Sequence, residues 1–339
     1  MLPTMSEPTK FSALLVEETG DNIFNSNIVN RTVSDLPDND LLINVQYSSL
    51  NYKDAMSASG NKRITSRFPH TPGIDAAGIV VSDKSGTFSA GDEVLVFGYD
   101  LGMNTPGGLG QVISIPANWA VKRPATLSLK EAMIYGTGGL TAALCIQKLE
   151  KMGATPADGP VAVTGSTGGV GSLSIALLKQ LGYSVVAFSG KPEQSDNLKA
   201  IGADEVLHRD VINEVNDLPI AKDIWAHGID TLGGDYLANL LKQIKPGGGV
   251  SACGLASSPF FSTNVLPFIT RGISLLGVDS VYIPLKDKQH IWNRVATDMK
   301  LPNLESLCEE ISLDQVPEYL QRFMEDKVVG RYLVNLKHK

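Results

Sequence analysis

Val161-Ala162-Val163-Thr164-Gly165-Ser166-Thr167-Gly168-Gly169-Val170-Gly171 is the stretch on which the fold is read. An apolar run leads straight into glycines at 165, 168 and 171, and these open a segment rich in Leu, Ile and Ala. That order predicts a strand, a tight turn and a helix. Lacking a Cβ, the first glycine permits the turn, the second lets a pyrophosphate approach the backbone, and the third lets helix and strand pack closely. The unpaired N–H groups at the helix start then face an anion. A structural turn alone would explain an isolated glycine triplet. The strand before it, the helix after it and a second strand on schedule favour a dinucleotide.

Working outward, further strands are predicted over 184–189, 205–208, 229–232, 249–253 and 273–279, with helices over 169–181, 192–201 and 235–244. Strands alternating with amphipathic helices make a doubly wound parallel sheet, an α/β architecture. Residues 11–123 read differently. Short strands over 11–17, 41–48, 78–81, 93–97 and 111–115 are broken by Pro69, Pro72, Gly73, Gly91, Pro106, Gly107 and Gly108, which suits an all-β barrel or sandwich. Residues 286–339 hold one or two helices and a strand over 331–336, too little for a third domain, and are expected to return to the first. The predicted organisation is therefore residues 1–127 with 285–339 as a β-rich domain, and 128–284 as the nucleotide domain.

The 339 residues, 43% apolar and 19% charged, describe a globular chain of about two domains. Lys+Arg 29 against Asp+Glu 36 gives a net charge of -7, which offers no broad basic surface to nucleic acid. No apolar run reaches the roughly 18 residues of a membrane span, and residues 1–10 lack a signal-peptide pattern, so a cytoplasmic location is expected. Cys145, Cys253 and Cys308 are too few and too scattered for a disulfide framework or a four-thiolate zinc site.

Cofactor choice is read at the end of the second strand. An acidic residue about 20 positions after the loop would bind both ribose hydroxyls of NAD. Here the sequence is Ser189-Gly190-Lys191. A hydroxyl, a backbone amide and an ammonium suit the 2′-phosphate of NADPH, with Arg209 flanking that phosphate or the adenine. The competing reading of Lys191 is a solvated lysine ahead of Pro192.

The first domain lacks the ligands of a catalytic zinc: residues 1–144 contain no Cys, and His70 is their sole His. A substrate needing only modest polarisation follows, such as an activated C=C bond or a quinone. Leu50-Asn51-Tyr52-Lys53-Asp54 gathers an amide, a phenol, an ammonium and a carboxylate in one turn. These groups suit a developing enolate or a proton transfer, and Asn51 and Asp54 equally suit the cap of a short helix. The glycine-rich stretch 99–111 reads as a flexible wall or a turn. Lys62, Arg63 and Arg67 form a basic cluster on an acidic chain, either a solvated face or a site for coenzyme A phosphate. His208, His227, His290 and His338 show no ligand spacing.

These residues resemble a known family. Ser48-Ser49-Leu50-Asn51-Tyr52-Lys53-Asp54, Pro72-Gly73-Ile74-Asp75-Ala76-Ala77-Gly78, Ala90-Gly91-Asp92-Glu93-Val94, Gly136-Thr137-Gly138-Gly139-Leu140-Thr141-Ala142, the glycine loop, Ala252-Cys253-Gly254-Leu255-Ala256 and Gly277-Val278-Asp279-Ser280-Val281 carry the likeness. Over the whole chain it resembles the zinc-independent quinone oxidoreductase-like branch of the medium-chain dehydrogenases/reductases, and within it the YhdH-like acryloyl-CoA reductases. Zinc-dependent members carry Gly-His-Glu where this chain has Gly73-Ile74-Asp75. The resemblance implies a GroES-like catalytic domain, a Rossmann domain, NADPH as cofactor and a homodimer paired through the edge strand around 275–280. It also implies that Tyr52, Thr167, Gly168, Gly169, Val170, Ser189, Gly190, Lys191, Arg209, Leu255 and Ile269 contact the cofactor, and that Asn51, Tyr52 and Asp54 belong to the catalytic site. Lys191 stands where relatives often have Arg, which keeps the charge and loses the bidentate fork.

The expected reaction is reduction of acryloyl-CoA to propanoyl-CoA, with a quinone or small enone as the alternative acceptor. A non-catalytic NADPH-sensing or RNA-binding protein is the third reading, and the net charge of -7 opposes it.

Overall fold

The computed structural model describes residues 10–337, so the leader reading of residues 1–9 and the reading of His338 lie outside the described residues. The chain forms two compact units. The first is built on β1 (Phe11–Gly20), β2 (Ile23–Arg31), β3 (Leu41–Ser49), β4 (Asp75–Asp83), β5 (Glu93–Phe97), β6 (Val112–Ile115) and β7 (Ala120–Lys122), with the short helix α1 (Tyr52–Ala58) after β3. A long helix, α2 (Leu129–Lys151), follows and is broken at Gly136, whose φ of 52° and ψ of -160° are not helical. Strands β3, β4, β5 and β7 pair in that order. Leu41, Ile43, Val45, Ala76, Val80, Val94 and Val96 from these strands are buried in one core.

The second unit carries β8 (Val161–Thr164), α3 (Gly169–Gln180), β9 (Val185–Ser189), α4 (Ser195–Ala200), β10 (Glu205–His208), β11 (Trp225–Asp230), α5 (Gly234–Lys242), β12 (Ile244–Ala252), α6 (Leu266–Arg271) and β13 (Ser274–Gly277). All its strands are parallel, in the order β10-β9-β8-β11-β12-β13. The chain reverses its direction across the sheet between β8 and β11. In open α/β sheets the crevice beyond the strand ends at such a reversal is where ligands bind. Ala162, Phe188, Trp225, Leu240 and Val250 form the core, with Phe188 edge-on to Trp225 at 5.5 Å.

The chain then returns to the first unit. There α7 (Leu285–Val295), β14 (Cys308–Ser312), α8 (Val316–Met324) and β15 (Arg331–Asn335) complete its sheet, with β15 antiparallel to β3 and β14 parallel to β15. The first domain is therefore not all-β: α1 and α8 pack on each other and bury Ala55, Val316, Tyr319 and Leu320 in its core.

The division also falls elsewhere than at 127/128 and 284/285. The first unit runs through Thr137 and takes Val281–Ala296 and the chain from Asn303; the second holds Gly138–Ser280 and Thr297–Pro302. Hydrogen bonds explain the shift. Ile134 and Thr137 are bonded to Arg331 and Asp75, and the Val281 carbonyl accepts from the Tyr99 N–H at 3.2 Å and from the Lys288 ammonium at 3.1 Å.

The glycine at 171 fixes how closely α3 lies on β8, since a Cβ there would stand 2.3 Å from the Gly165 carbonyl oxygen. Gly171→Ala is expected to cost about 1–3 kcal/mol, the range of overpacking. Urea unfolding followed by far-UV circular dichroism reads this as a lowered midpoint, and an unchanged midpoint would mean that the contact is not tight.

Candidate functional site

The glycine loop of the second unit has a division of labour. Gly165 has φ 61°, and a Cβ on it would lie 2.1 Å from Thr231 Oγ1; Gly171 meets the Gly165 carbonyl oxygen as described. Both are glycines because this chain's own atoms leave no room. Gly168 differs. Its φ is -77°, and the nearest atom to a Cβ there is 3.3 Å away. A Cβ there would meet the Gly165 carbonyl oxygen more closely than an ordinary van der Waals contact, but without the outright overlap found at 165 and 171. Gly168 is also the N-cap of the twelve-residue α3, and no side chain caps it, so its leading N–H groups are available to an anion. Thr167, Gly168, Gly169 and Val170 all reach the surface.

Ser189 is buried at the end of β9, and its hydroxyl accepts the Lys191 N–H at 2.9 Å, which shapes the turn. Gly190 lies under Arg209: a Cβ on it would stand 2.8 Å from Arg209 Nε. The guanidinium also lies 5.7 Å from the Tyr236 ring, whose hydroxyl donates to Asp210 at 2.9 Å. The structure thus brings Arg209 onto the Ser189-Gly190-Lys191 turn, as the sequence suggested. Leu255 follows β12 and Ile269 sits on α6, with 64% and 72% of their surfaces exposed. The structure brings neither to the glycine loop by a direct bond.

In the first unit the turn before α1 is organised around two buried carboxylates. The Asn51 N–H donates to Asp54 Oδ2 at 2.8 Å and the Ile74 N–H to Oδ1 at 2.9 Å, so Asp54 caps the helix from its third position. Asp75 opens β4. Its Oδ2 accepts from Ser49 Oγ at 2.5 Å, Asn51 Nδ2 at 2.9 Å and the Thr137 N–H at 2.9 Å, and its Oδ1 accepts the Thr137 hydroxyl. Arg331, from β15, donates to the Ile134 carbonyl at 3.0 Å, Ser49 Oγ at 2.9 Å and Asn51 Oδ1 at 3.3 Å, with its guanidinium 3.9 Å from Asp75. Asn51 is therefore held from both ends of its amide. Tyr52, the next residue, is 56% exposed.

Burial pushes the Asp54 carboxyl up, to about 7; the nearby Asp75 charge adds to this, and the Asn51 and Ile74 donors oppose it. Burial likewise lowers the Arg331 pKa, which Asp75 partly restores. With no surface exposed and both oxygens engaged, Asp54 acts on the turn and not on a substrate. Both sequence readings of Asn51 and Asp54 thus meet at one place, and the capping interaction is direct.

Other expectations separate. Lys62 is paired with Glu18 at 2.7 Å and stands 5.1 and 4.8 Å from the Phe24 and Phe68 rings, whereas Arg63 and Arg67 are exposed, with no ion pair among the described residues. The stretch 99–111 is no flexible wall: Cβ atoms on Gly102, Gly107 and Gly108 would lie 2.4, 2.3 and 1.9 Å from the backbone of Gly73 and Asp75. Asp75 and Arg331 were not singled out by sequence. The available signal was a charge inside an apolar strand, Ile74-Asp75-Ala76-Ala77 and Arg331-Tyr332-Leu333-Val334.

Sequence and structure comparisons agree with this architecture. The profile described as alcohol dehydrogenase GroES-like domain matches residues 37–125, and that described as zinc-binding dehydrogenase matches 169–297. Acrylyl-CoA reductase AcuI of Ruegeria pomeroyi is 38% identical over 96% of this chain and 99% of its own length. The chain belongs to the medium-chain dehydrogenase/reductase family, in its quinone oxidoreductase-like, YhdH-like branch. The crystal structure of the yhdH oxidoreductase of Salmonella enterica in complex with NADP superimposes with a TM-score of 0.93, at 41% identity, covering 96% of this chain and all of that one. Bacillus subtilis yhfP with NAD bound gives 0.95, at 41% identity, over 97% of this chain and all of that one. The zinc of the matched profile does not fit here. Ile74 stands in the Gly-His-Glu position, the Asp75 carboxylate is filled by its own donors, and among the described residues no three His, Cys, Asp or Glu side chains come together as a ligand set.

The Asp54 shift predicts a pH dependence with a definite sign. Its folded pKa of about 7 lies above the ordinary carboxyl value of 3.8, so between these limits the folded form binds more protons than the unfolded form. This group's contribution to stability therefore falls as pH rises through that window, and levels off above it. The stability lead of wild type over Asp54→Asn should shrink between pH 5 and pH 8 in urea titrations; a lead independent of pH would remove the shift.

Proposed function

We propose that this chain is an NADPH-dependent oxidoreductase that reduces the activated C=C bond of acryloyl-CoA to propanoyl-CoA without a metal. The observation that carries the cofactor reading is the end of β9, where the Arg209 guanidinium lies over Gly190 and the sequence reads Ser189-Gly190-Lys191 in place of the acidic residue that would bind the ribose hydroxyls of NAD. Relatives of the same fold have been solved with NADP and with NAD, so loop shape alone does not choose between them. The charge at this turn does. Residues 167–170 take the pyrophosphate at the uncapped start of α3, while Leu255 and Ile269 supply apolar cover for the rest of the cofactor.

When bound, NADPH supplies the hydride that adds to the substrate β-carbon. The resulting thioester enolate needs a hydrogen-bond donor at its oxygen and a proton at its α-carbon. Tyr52 is the donor in this reading, since its ring stands at the exposed start of α1 on a turn made rigid by Asn51, Asp54 and Asp75. Asn51 and Asp54 are positioning residues for it. Arg63 and Arg67 take the phosphates of coenzyme A, with Lys62 already committed to Glu18.

The acyl-CoA substrate is supported by the relatives named acrylyl-CoA reductase, in Ruegeria pomeroyi and Escherichia coli. A quinone is the second reading, supported by the relative named as quinone oxidoreductase YhfP. The assembly we propose is a homodimer. Among the described residues β13 pairs only with β12 and ends the sheet, and the segment before it exposes Phe260 and Val265. A cytoplasmic location agrees with three unpaired cysteines.

NADPH oxidation at 340 nm with acryloyl-CoA, crotonyl-CoA and a benzoquinone, each beside an NADH control, tests the reading. Turnover of the quinone alone would replace it with the second. Lys191→Ala should raise KM for NADPH about tenfold and leave that for NADH within about twofold, the signature of a lost charge-assisted contact. Tyr52→Phe should lower kcat by at least about tenfold with little change in NADPH affinity; full turnover in that variant would remove Tyr52 from the chemistry.

A further inference from the structure

Asp230 ends β11 and has no solvent exposure. One carboxylate oxygen accepts the Thr164 hydroxyl at 2.7 Å, and the other accepts the Gly233 N–H at 2.8 Å. Thr164 is the last residue of β8, immediately before the glycine loop. Its hydroxyl oxygen in turn accepts the Thr231 N–H at 3.0 Å, and the Thr231 hydroxyl donates back to the Thr164 carbonyl at 3.0 Å. That same Thr231 oxygen occupies the place a Cβ on Gly165 would need. The first turn of the glycine loop is therefore buttressed from the neighbouring strand.

The other side of the 230–232 segment carries a second loop. The Asp230 carbonyl accepts the Cys253 N–H at 3.0 Å, Thr231 accepts from Ala256 at 3.3 Å, and Leu232 accepts from Ser257 at 2.8 Å. A Cβ on Gly254 would lie 2.2 Å from the Thr231 carbonyl oxygen. One short stretch thus holds Thr164 and Gly165 on one flank and 253–258 on the other, at the sheet reversal between β8 and β11.

We infer that Asp230 is a positioning residue that sets the glycine loop and the Leu255 loop in register with each other, so that both engage one dinucleotide. The inference rests on the cofactor reading above. A backbone hydrogen bond alone would leave the Thr164 hydroxyl and the Gly233 N–H free to turn. The buried carboxylate fixes both at once, and its loss strands two donors in a dry site. The 189–191 turn leaves the end of β9 that lies beside Thr164, and it makes no bond to Asp230 among those described.

Asp230→Asn tests this. The side chain keeps its shape, and Oδ1 still accepts from Thr164, but an amide NH₂ then faces the Gly233 N–H. Fluorescence titration should show the Kd for NADPH raised about tenfold, with that for adenosine 2′-phosphate, which reaches only the 189–191 end, within about twofold of wild type. An NADPH Kd within about twofold in a variant with native circular dichroism would overturn the inference, and so would equal losses for both ligands, which mark general loosening. Should Asp230→Asn fail to fold, Thr164→Val removes the same bond from the other side. It is expected to raise the NADPH Kd about threefold and spare adenosine 2′-phosphate, and an unchanged NADPH Kd overturns the inference. Should wild type bind NADH and not NADPH, the cofactor reading falls, and the comparison with NADH and AMP tests Asp230 unchanged.

Discussion

The first unit depends on a single buried carboxylate. Asp75 collects donors from the end of β3, from the turn before α1 and from the residue after the break in α2, while Arg331 brings a counter-charge from β15. β3, β4 and β15 already pair in the sheet, and the carboxylate ties them to the turn before α1 and to the break in α2. Burying a charge is unfavourable unless its lone pairs are satisfied and an opposite charge lies near, so every donor in this set is required at once. Gly136 shows how tightly the set is drawn. A Cβ there would fall 2.3 Å from the Arg331 guanidinium, 2.5 Å from Ser49 Oγ and 2.7 Å from Asp75 Oδ2. The break in α2 is the conformation that frees the Thr137 N–H for this carboxylate.

Much of this was legible in the sequence, and each exception has its own physical cause. The strands 93–97, 161–164 and 205–208 are found where expected, because each is a short run with turn residues on both sides. β2 and β14 were missed. Their sequences, Ile-Phe-Asn-Ser-Asn-Ile-Val-Asn-Arg and Cys-Glu-Glu-Ile-Ser, are polar because they lie at sheet edges, where one side faces water. α2 was not among the predicted helices; three glycines, Gly136, Gly138 and Gly139, lie inside it, and only the first departs from helical geometry. β11 starts earlier than read, at Trp225, and stops at Asp230, whose side chain turns back to bond Gly233.

The candidate site divides along the same line. Glycines and local turns announce themselves through spacing, so residues 165–171 and 189–191 were readable. Arg209 joined them because a cation just after a strand end is where a phosphate site wants one. Asp75 and Arg331 were hidden, since their partnership spans almost the whole chain and no local pattern encodes it. Asp54 was seen and its dual reading left open. The structure unites the two meanings: a cap that is wholly buried becomes the rigid base of an exposed tyrosine.

The three glycines of the loop carry a historical consequence. Two are enforced by outright overlap with the chain's own backbone and side chains, whereas a Cβ at the middle one would meet the Gly165 carbonyl oxygen at 3.3 Å, a crowding that a shift of a few tenths of an ångström relieves. Under drift, erosion of the triplet is therefore expected to begin at position 168, where a small residue costs the fold least, and to reach 165 and 171 only with a change in the fold itself.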